Sequence, residues 1–365
     1  MNKSKKSSSM KKDIFDQPEL INSSLKNRII FSNFSIKFPE IENSDLDISS
    51  IDRIIFSGMG TSYNAALYGA NIMEKIAKIP CKAVYASEMY HNDYSFSDKT
   101  LLISISQSGE SSDVIQMMQE AKLRNIFQIL VSESKYSKAS KISDIFLPIN
   151  SGPEYSIAAT KTFSLSILLL LQLSIYFGNK RSISISKYLN DIRKIPSLLS
   201  GYLKDKKNIN SINNIAKYLS IYSNIICLGR DTLFPIALEG ALKIKETAYL
   251  HAEGYNPEEL RHGTFALLCK SMPVLICAND SLQNEKNLSI VRDIISCESP
   301  VITILPEGEK YISKLADKVI FIPKSSEISL PFFNLFILQL LSYNLSKAVG
   351  NNPDQPRNLS KIVKL

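Results

Sequence analysis

At 365 residues the chain can hold two domains of ordinary size, each with a core of its own. Apolar residues make up 44% and charged residues 21%, the balance of a globular protein and not of a disordered one. Lys and Arg outnumber Asp and Glu by 43 to 35, yet the excess forms no basic stripe of the kind that reads nucleic acid.

In chain order, the first twelve residues, MNKSKKSSSMKK, carry five Lys and four Ser and read as a disordered tail. No apolar stretch follows these lysines, so they are not a secretory signal. Residues 1–26 are taken as this tail plus a linker-like segment. The next 153 residues, 27–179, then follow a script that residues 211–348 repeat. Asp52–Ser57 is a short apolar run leading into Gly58-Met-Gly60-Thr61-Ser62 and a helical pattern from Tyr63 to Ala77. Thr100–Ser106, Phe127–Ser132 and Ile145–Pro148 are further strand candidates, and Thr160–Phe177 closes the half as a long apolar helix. Its apolar stretch, from Phe163 to Phe177, is too short for a bilayer and carries Gln172, so a buried helix is expected and no membrane.

Residues 180–210 look like a helical connector. The second copy opens with Ser223–Leu228, Gly229-Arg-Asp-Thr232 and a helical pattern from Pro235 to Leu250. Met272–Ala278, Pro300–Leu305 and Val319–Pro323 supply its other strands, and Leu330–Ala348 its closing helix. A tail spans 349–365. Short continuous apolar runs alternating with helix-length patterns predict parallel strands covered on both faces. The expected fold class is therefore α/β: two tandem, doubly wound parallel-sheet domains of flavodoxin-like or Rossmann-like type. Five cysteines, odd in number and without CxxC spacing, suggest neither disulfides nor zinc, and most are expected to be core thiols in a cytoplasmic protein.

In such sheets ligands bind beyond the carboxyl ends of the strands. Two loops there suit a phosphate monoester. The first places Thr61 and Ser62 after two glycines at a helix start. The second, Ser104 to Ser112, is a hydroxyl- and amide-rich cup containing Ser106, Gln107, Ser108 and Ser111. Neither is a Walker motif, and Tyr63 breaks GxGxxG, so a nucleotide is disfavoured.

The second copy differs at the helix that takes the phosphate-loop position. Glu239, Lys243 and Glu246 fall within roughly a 60° arc of one face of it. Such spacing also makes ordinary surface ion pairs, but its place in the repeat favours acid and base work. His262, before Gly263 in a turn-rich segment, suits proton transfer at neutral pH. His251 and His91 are read as structural, and no metal is expected, since the spacing of His251, Glu253, Glu258 and His262 matches no zinc signature.

Six ordered stretches carry a resemblance: Gly60-Thr-Ser-Tyr63, Ser106-Gln-Ser-Gly-Glu110, Ala159-Thr-Lys161, Ala237-Leu-Glu-Gly-Ala-Leu-Lys243, Glu259-Leu-Arg-His-Gly263 and Asp354-Gln-Pro-Arg-Asn-Leu-Ser-Lys361. They closely resemble the sugar isomerase (SIS) family, and within it the isomerase domain of the glutamine–fructose-6-phosphate aminotransferases. Ile14-Phe-Asp-Gln-Pro18 resembles the segment joining that enzyme's two halves. The resemblance implies that Ser62, Ser106, Gln107, Ser108 and Ser111 bind the sugar phosphate and that Glu246 moves a proton between C1 and C2. It implies a ring-opening His262 supplied across a homodimer, a Schiff base at Lys361, and Glu239 and Lys243 as orienting and proton-shuttling groups. No cofactor is implied.

Residue 2 is Asn and the first cysteine is Cys81, so the N-terminal cysteine of the family's glutaminase half is not found here. The expected activity is ammonia-dependent conversion of fructose 6-phosphate to glucosamine 6-phosphate, with a separate glutaminase as a candidate nitrogen source. Tyr255-Asn-Pro-Glu-Glu259 departs from the small residues expected before the His262 motif. That keeps a glucosamine-6-phosphate deaminase or a fructosamine-6-phosphate deglycase open. A non-catalytic sugar-phosphate sensor is the third reading, against which stand the intact Glu246, His262 and Lys361.

Overall fold

The structure, a computed structural model, describes residues 8–89, 97–277 and 284–360. These form two compact units. One comprises Glu19–Glu154, Lys161–Arg193 and Ser360; the other comprises residues 8–18, Tyr155–Thr160 and Lys194–Leu359.

In the first unit the strands are β1 (Arg53–Gly58), β2 (Cys81–Tyr85), β3 (Thr100–Ile105), β4 (Phe127–Ser132) and β5 (Ile145–Pro148). They form one parallel sheet in the order β2-β1-β3-β4-β5. The second unit repeats the plan with β6 (Asn224–Leu228), β7 (His251–Tyr255), β8 (Val274–Cys277), β9 (Val301–Pro306) and β10 (Lys318–Ile322). Their order, β7-β6-β8-β9-β10, is the same. Each sheet thus reverses direction between its first and third strands, β1 and β3 or β6 and β8. Each has five strands where the sequence suggested four. The extra ones, β2 and β7, are edge strands with a mixed burial pattern, so CKAVY and HAEGY carry no continuous apolar run.

The helices that matter below are, in chain order, α1 (Ser9–Phe15), α2 (Thr61–Ala77), α3 (Ser112–Leu123), α4 (Lys161–Lys180), α5 (Phe234–Ala248) and α6 (Leu330–Ala348). α4 is 20 residues long, enough by length and composition to cross a membrane, but 94% of its most apolar window is buried inside the protein. Cys227 and Cys277 are buried, Cys81 and Cys297 half-buried, and Cys269 is exposed. Burial pushes the Cys227 thiol up to about 12, which keeps it protonated and inert.

The disordered-tail reading fails from residue 9 onward. Met10, Asp13 and Ile14 of α1 are buried, and Phe15 packs edge-on against Phe336 of α6. Composition weighed the lysines and overlooked Met10 and Ile14, which stand one turn apart and form an apolar face. Asp354 supplies the missing cap, accepting hydrogen bonds from Ser8 Oγ and Met10 N at 2.8 Å each. Asp13 in turn accepts from the backbone of Tyr155 and Ser156 at 3.1 Å, and Gln17 donates to Gln339, which donates to the Thr160 carbonyl.

Candidate active site

The first unit brings its two predicted loops together at the sheet's reversal point. β1 and β3 pair directly, Ser57 opposite Ser104, and their carboxyl ends lead into Gly58–Ser62 and Ser106–Ser112. α2 and α3 start there, and neither is capped by a side chain: Gly60 has none, and Ser111 makes no capping bond. Helix N-termini left in this state favour an anion.

The second loop is shaped by its own side chains. Ser106 Oγ accepts from Gly109 N at 3.1 Å, and Ser108 Oγ accepts from Glu110 N at the same distance. Gln107 Nε2 donates to Glu154 Oε2 and Thr162 Oγ1, both at 3.0 Å. Glu154 and Thr162 are therefore part of the cup, although they lie about fifty residues away in sequence and no local pattern marks them. Gly109 has φ +65°, and a Cβ there would come within 2.1 Å of Ser137 Oγ. Gly109→Ala is accordingly expected to cost roughly 1–3 kcal/mol and to raise the KM for a sugar phosphate about tenfold. Denaturant melts and steady-state kinetics on the same preparation check both numbers.

The second unit's reversal point is built otherwise. Gly229 leads not into hydroxyls but into Arg230, whose guanidinium donates to both Glu258 oxygens and to Asn287 Oδ1. Burial would raise the Glu258 carboxyl, but Arg230 outweighs it and holds the group below the usual carboxylate range. Here the crevice is occupied by the protein's own ion pair.

The charged trio lies at the other end of this sheet. Glu246 is twelve residues into α5, roughly 18 Å along the axis from Phe234. Gly240 allows close approach of α6, since a Cβ there would meet Leu338 at 2.7 Å. The result is that Glu239 and Lys243 are wholly buried, while 19% of the Glu246 side chain stays accessible. Lys243 Nζ lies 3.3 Å from Glu239 Oε1 and 2.5 Å from Glu246 Oε2. Burial pulls the Lys243 pKa down, but the two carboxylates override it and hold the ammonium above its ordinary value. Lys243 is thus a fixed cation that orients Glu246, the one member of the trio that meets solvent.

Glu246 opens into a cavity of about 550 Å³ shared with Leu242, Tyr249, His251, Arg357 and Leu359. Tyr249 ends α5 in a left-handed turn. The tail docks on it: Arg357 N donates to Tyr249 Oη at 2.7 Å, and the guanidinium lies 4.3 Å from the ring centre. Asn351 Nδ2 donates to the Ala248 carbonyl, tying the tail's root to the end of α5.

Thr61, Ser62, Ser108 and Ser111 are half-buried around the first unit's crevice and Ser106 is buried in it. Glu239, Lys243 and Glu246 form one cluster, as their helical spacing requires. His262 does not join them: it is exposed on a turn and is not in the cavity lining. Lys361 lies outside the described residues, two positions beyond Leu359. His251, read from sequence as structural, lines the cavity because β7 starts there, and β7 was not foreseen.

Comparison with known proteins fits this geometry. The family described as SIS domain matches residues 47–176 and 219–347. The glutamine–fructose-6-phosphate aminotransferase [isomerizing] of Aquifex aeolicus is 35% identical over 354 residues, which cover 97% of this chain and 57% of that protein. The chain thus spans just over half the length of the curated relatives it matches. Among solved structures, the C-terminal domain of glucosamine-fructose-6-phosphate aminotransferase from Francisella tularensis superposes with a TM-score of 0.88 at 30% identity, covering 98% of this chain and 100% of that domain. A glucosamine-6-phosphate deaminase from Thermotoga maritima shares the fold, with a TM-score of 0.78 at 24% identity, covering 98% of this chain and 100% of that one. With two matching domains, two sheets of one strand order and homology along nearly its whole length to the isomerase part of those aminotransferases, this chain belongs to the SIS domain family of sugar-phosphate isomerase-type enzymes.

Proposed function

We infer that the chain converts fructose 6-phosphate and ammonia to glucosamine 6-phosphate and water. The observation that carries this reading is the cavity in which Glu246, braced by a buried ammonium, faces the docked tail. Glu246 takes the proton from C1 of the open-chain C2 imine and returns it at C2, leaving the C1 aldehyde. Lys361, outside the described residues, forms the preceding imine with the ketose carbonyl, as the family resemblance implies, and ammonia then displaces it. Within the first unit, the capless helix starts and hydroxyl loops suit a phosphate monoester. His262, exposed before Gly263, serves a neighbouring subunit in a homodimer, and a glutaminase is a candidate source of ammonia.

The same groups run the reverse reaction, and the acidic segment Tyr255–Glu259, where relatives are expected to carry small residues, keeps release of ammonia from glucosamine 6-phosphate as the second reading. Purified protein is incubated with fructose 6-phosphate plus ammonium, and separately with glucosamine 6-phosphate, under mass spectrometry. Amino-sugar formation supports the synthetic reading; ammonia release with negligible synthesis supports the second. Turnover of neither sugar would sink both.

A further inference from the structure

The ion pair that fills the second unit's crevice has no part in the chemistry above, yet Glu258 stands four residues ahead of His262. Glu258 belongs to the short helix Pro257–Leu260, and His262 follows on the turn that leaves it. Among the described residues the His262 imidazole has no hydrogen-bond partner; its backbone N–H donates to the Glu259 carbonyl at 2.9 Å. The backbone of that turn therefore decides where the imidazole points. Beyond it lies Gly263 at φ +122°, so the restraint has to come from the residues before it.

Those residues supply it in different ways. Leu260 is buried in a core that includes Ile290 and Ile294 of the helix Asn284–Ser296. Such apolar contact fixes depth but not direction. Arg261 reaches the same helix, donating to Ser289 Oγ at 2.9 Å and to Asp293, but these partners are exposed and the pair correspondingly weak. Glu258 is held by Arg230: Nε donates to Oε2 at 3.1 Å, one terminal nitrogen donates to Oε1, and the other donates to Asn287 Oδ1. The Arg230 side chain is 12% accessible, and a two-pronged bond from guanidinium to carboxylate fixes angle as well as distance. The loop that carries Arg230 is itself anchored, since Gly229 N donates to the Tyr255 carbonyl at 3.1 Å.

We propose that Arg230 and Glu258 are positioning residues whose ion pair sets the angle at which the turn presents His262 for ring opening, a role resting on the function inferred above. In that step the C2–O5 bond breaks and its electron pair stays on O5, which takes a proton. The anomeric hydroxyl gives up its own proton as the C2 carbonyl forms, so none is consumed overall. The pair acts within one chain, whichever subunit's sugar His262 serves. It also gives the acidic segment Tyr255–Glu259 a purpose, because a small residue at position 258 has no carboxylate to offer Arg230.

The test pairs fructose 6-phosphate with 5-deoxyfructose 6-phosphate, which has no O5 and cannot close its ring. With ammonium present, Glu258→Gln and Arg230→Lys are each expected to lower kcat on fructose 6-phosphate about tenfold, with KM changed less than about twofold. On the 5-deoxy analogue both should stay within about threefold of the unaltered protein, which also shows that they fold. His262→Asn should show the same preference for the open-chain substrate, and adding Glu258→Gln to it should lower turnover no further. Equal losses on both substrates, no loss on either, or losses that multiply in the double variant would overturn the assignment, as would a His262→Asn variant with no ring-specific loss. If the unaltered protein turns over neither substrate, the parent function falls and this role with it. Normal turnover in which Glu258→Gln does not discriminate between the substrates removes only this role.

Discussion

Glu246→Gln is expected to lower turnover about 10³-fold, some 4 kcal/mol of transition-state stabilisation, while fructose 6-phosphate binding changes less than about threefold. The amide keeps the size of the carboxylate and can still meet Lys243, but it cannot carry a proton between two carbons. Since Glu246 is 19% accessible and sits at the cavity wall, the exchange should leave folding nearly unchanged. Calorimetric titration beside steady-state assays separates the two effects. Loss of binding together with turnover would point to a ligand contact instead of a base. Unchanged turnover would remove Glu246 from the chemistry.

The second large effect is on stability. Lys243→Met removes the cation between two carboxylates and leaves Glu239 buried with no ion pair to Lys243. Breaking a buried pair from one side typically costs about 3–5 kcal/mol, so a marked fall in melting temperature is expected together with loss of activity. Glu239→Gln added to Lys243→Met should restore part of the stability and none of the turnover. The sign with pH follows from the raised pKa of Lys243: on the alkaline side its contribution is whole at neutral pH and is lost as pH climbs past about 10. Denaturant melts that show the same alkaline-side loss in Lys243→Met as in the unaltered protein would contradict this.

What the sequence discloses follows from which forces are local. Thr100–Ile105 and Phe127–Ser132 are buried on both faces, so six apolar residues in a row mark them at once. His251–Tyr255 is an edge strand with one face in solvent, and its alternating, Gly-containing sequence looks like a turn. Missing that strand hid the place of His251. The helical arc of Glu239, Lys243 and Glu246 was legible because α-helical geometry fixes it; that it lies away from the reversal-point crevice follows from the helix running back along the sheet. Glu154 behind Gln107, and Asp354 ahead of Ser8, are contacts made across large sequence distances, for which one chain's pattern gives no sign.

That last contact also sets a clock. Met10 and Asp354 are 344 residues apart, so α1 emerges from the ribosome long before the carboxylate that caps it. At ordinary rates of synthesis the wait is roughly 20–70 s. Until then Met10 and Ile14 lack α6 as well, and seven residues are too few to stay helical alone. α1 is therefore among the last of the described elements to become stable during translation.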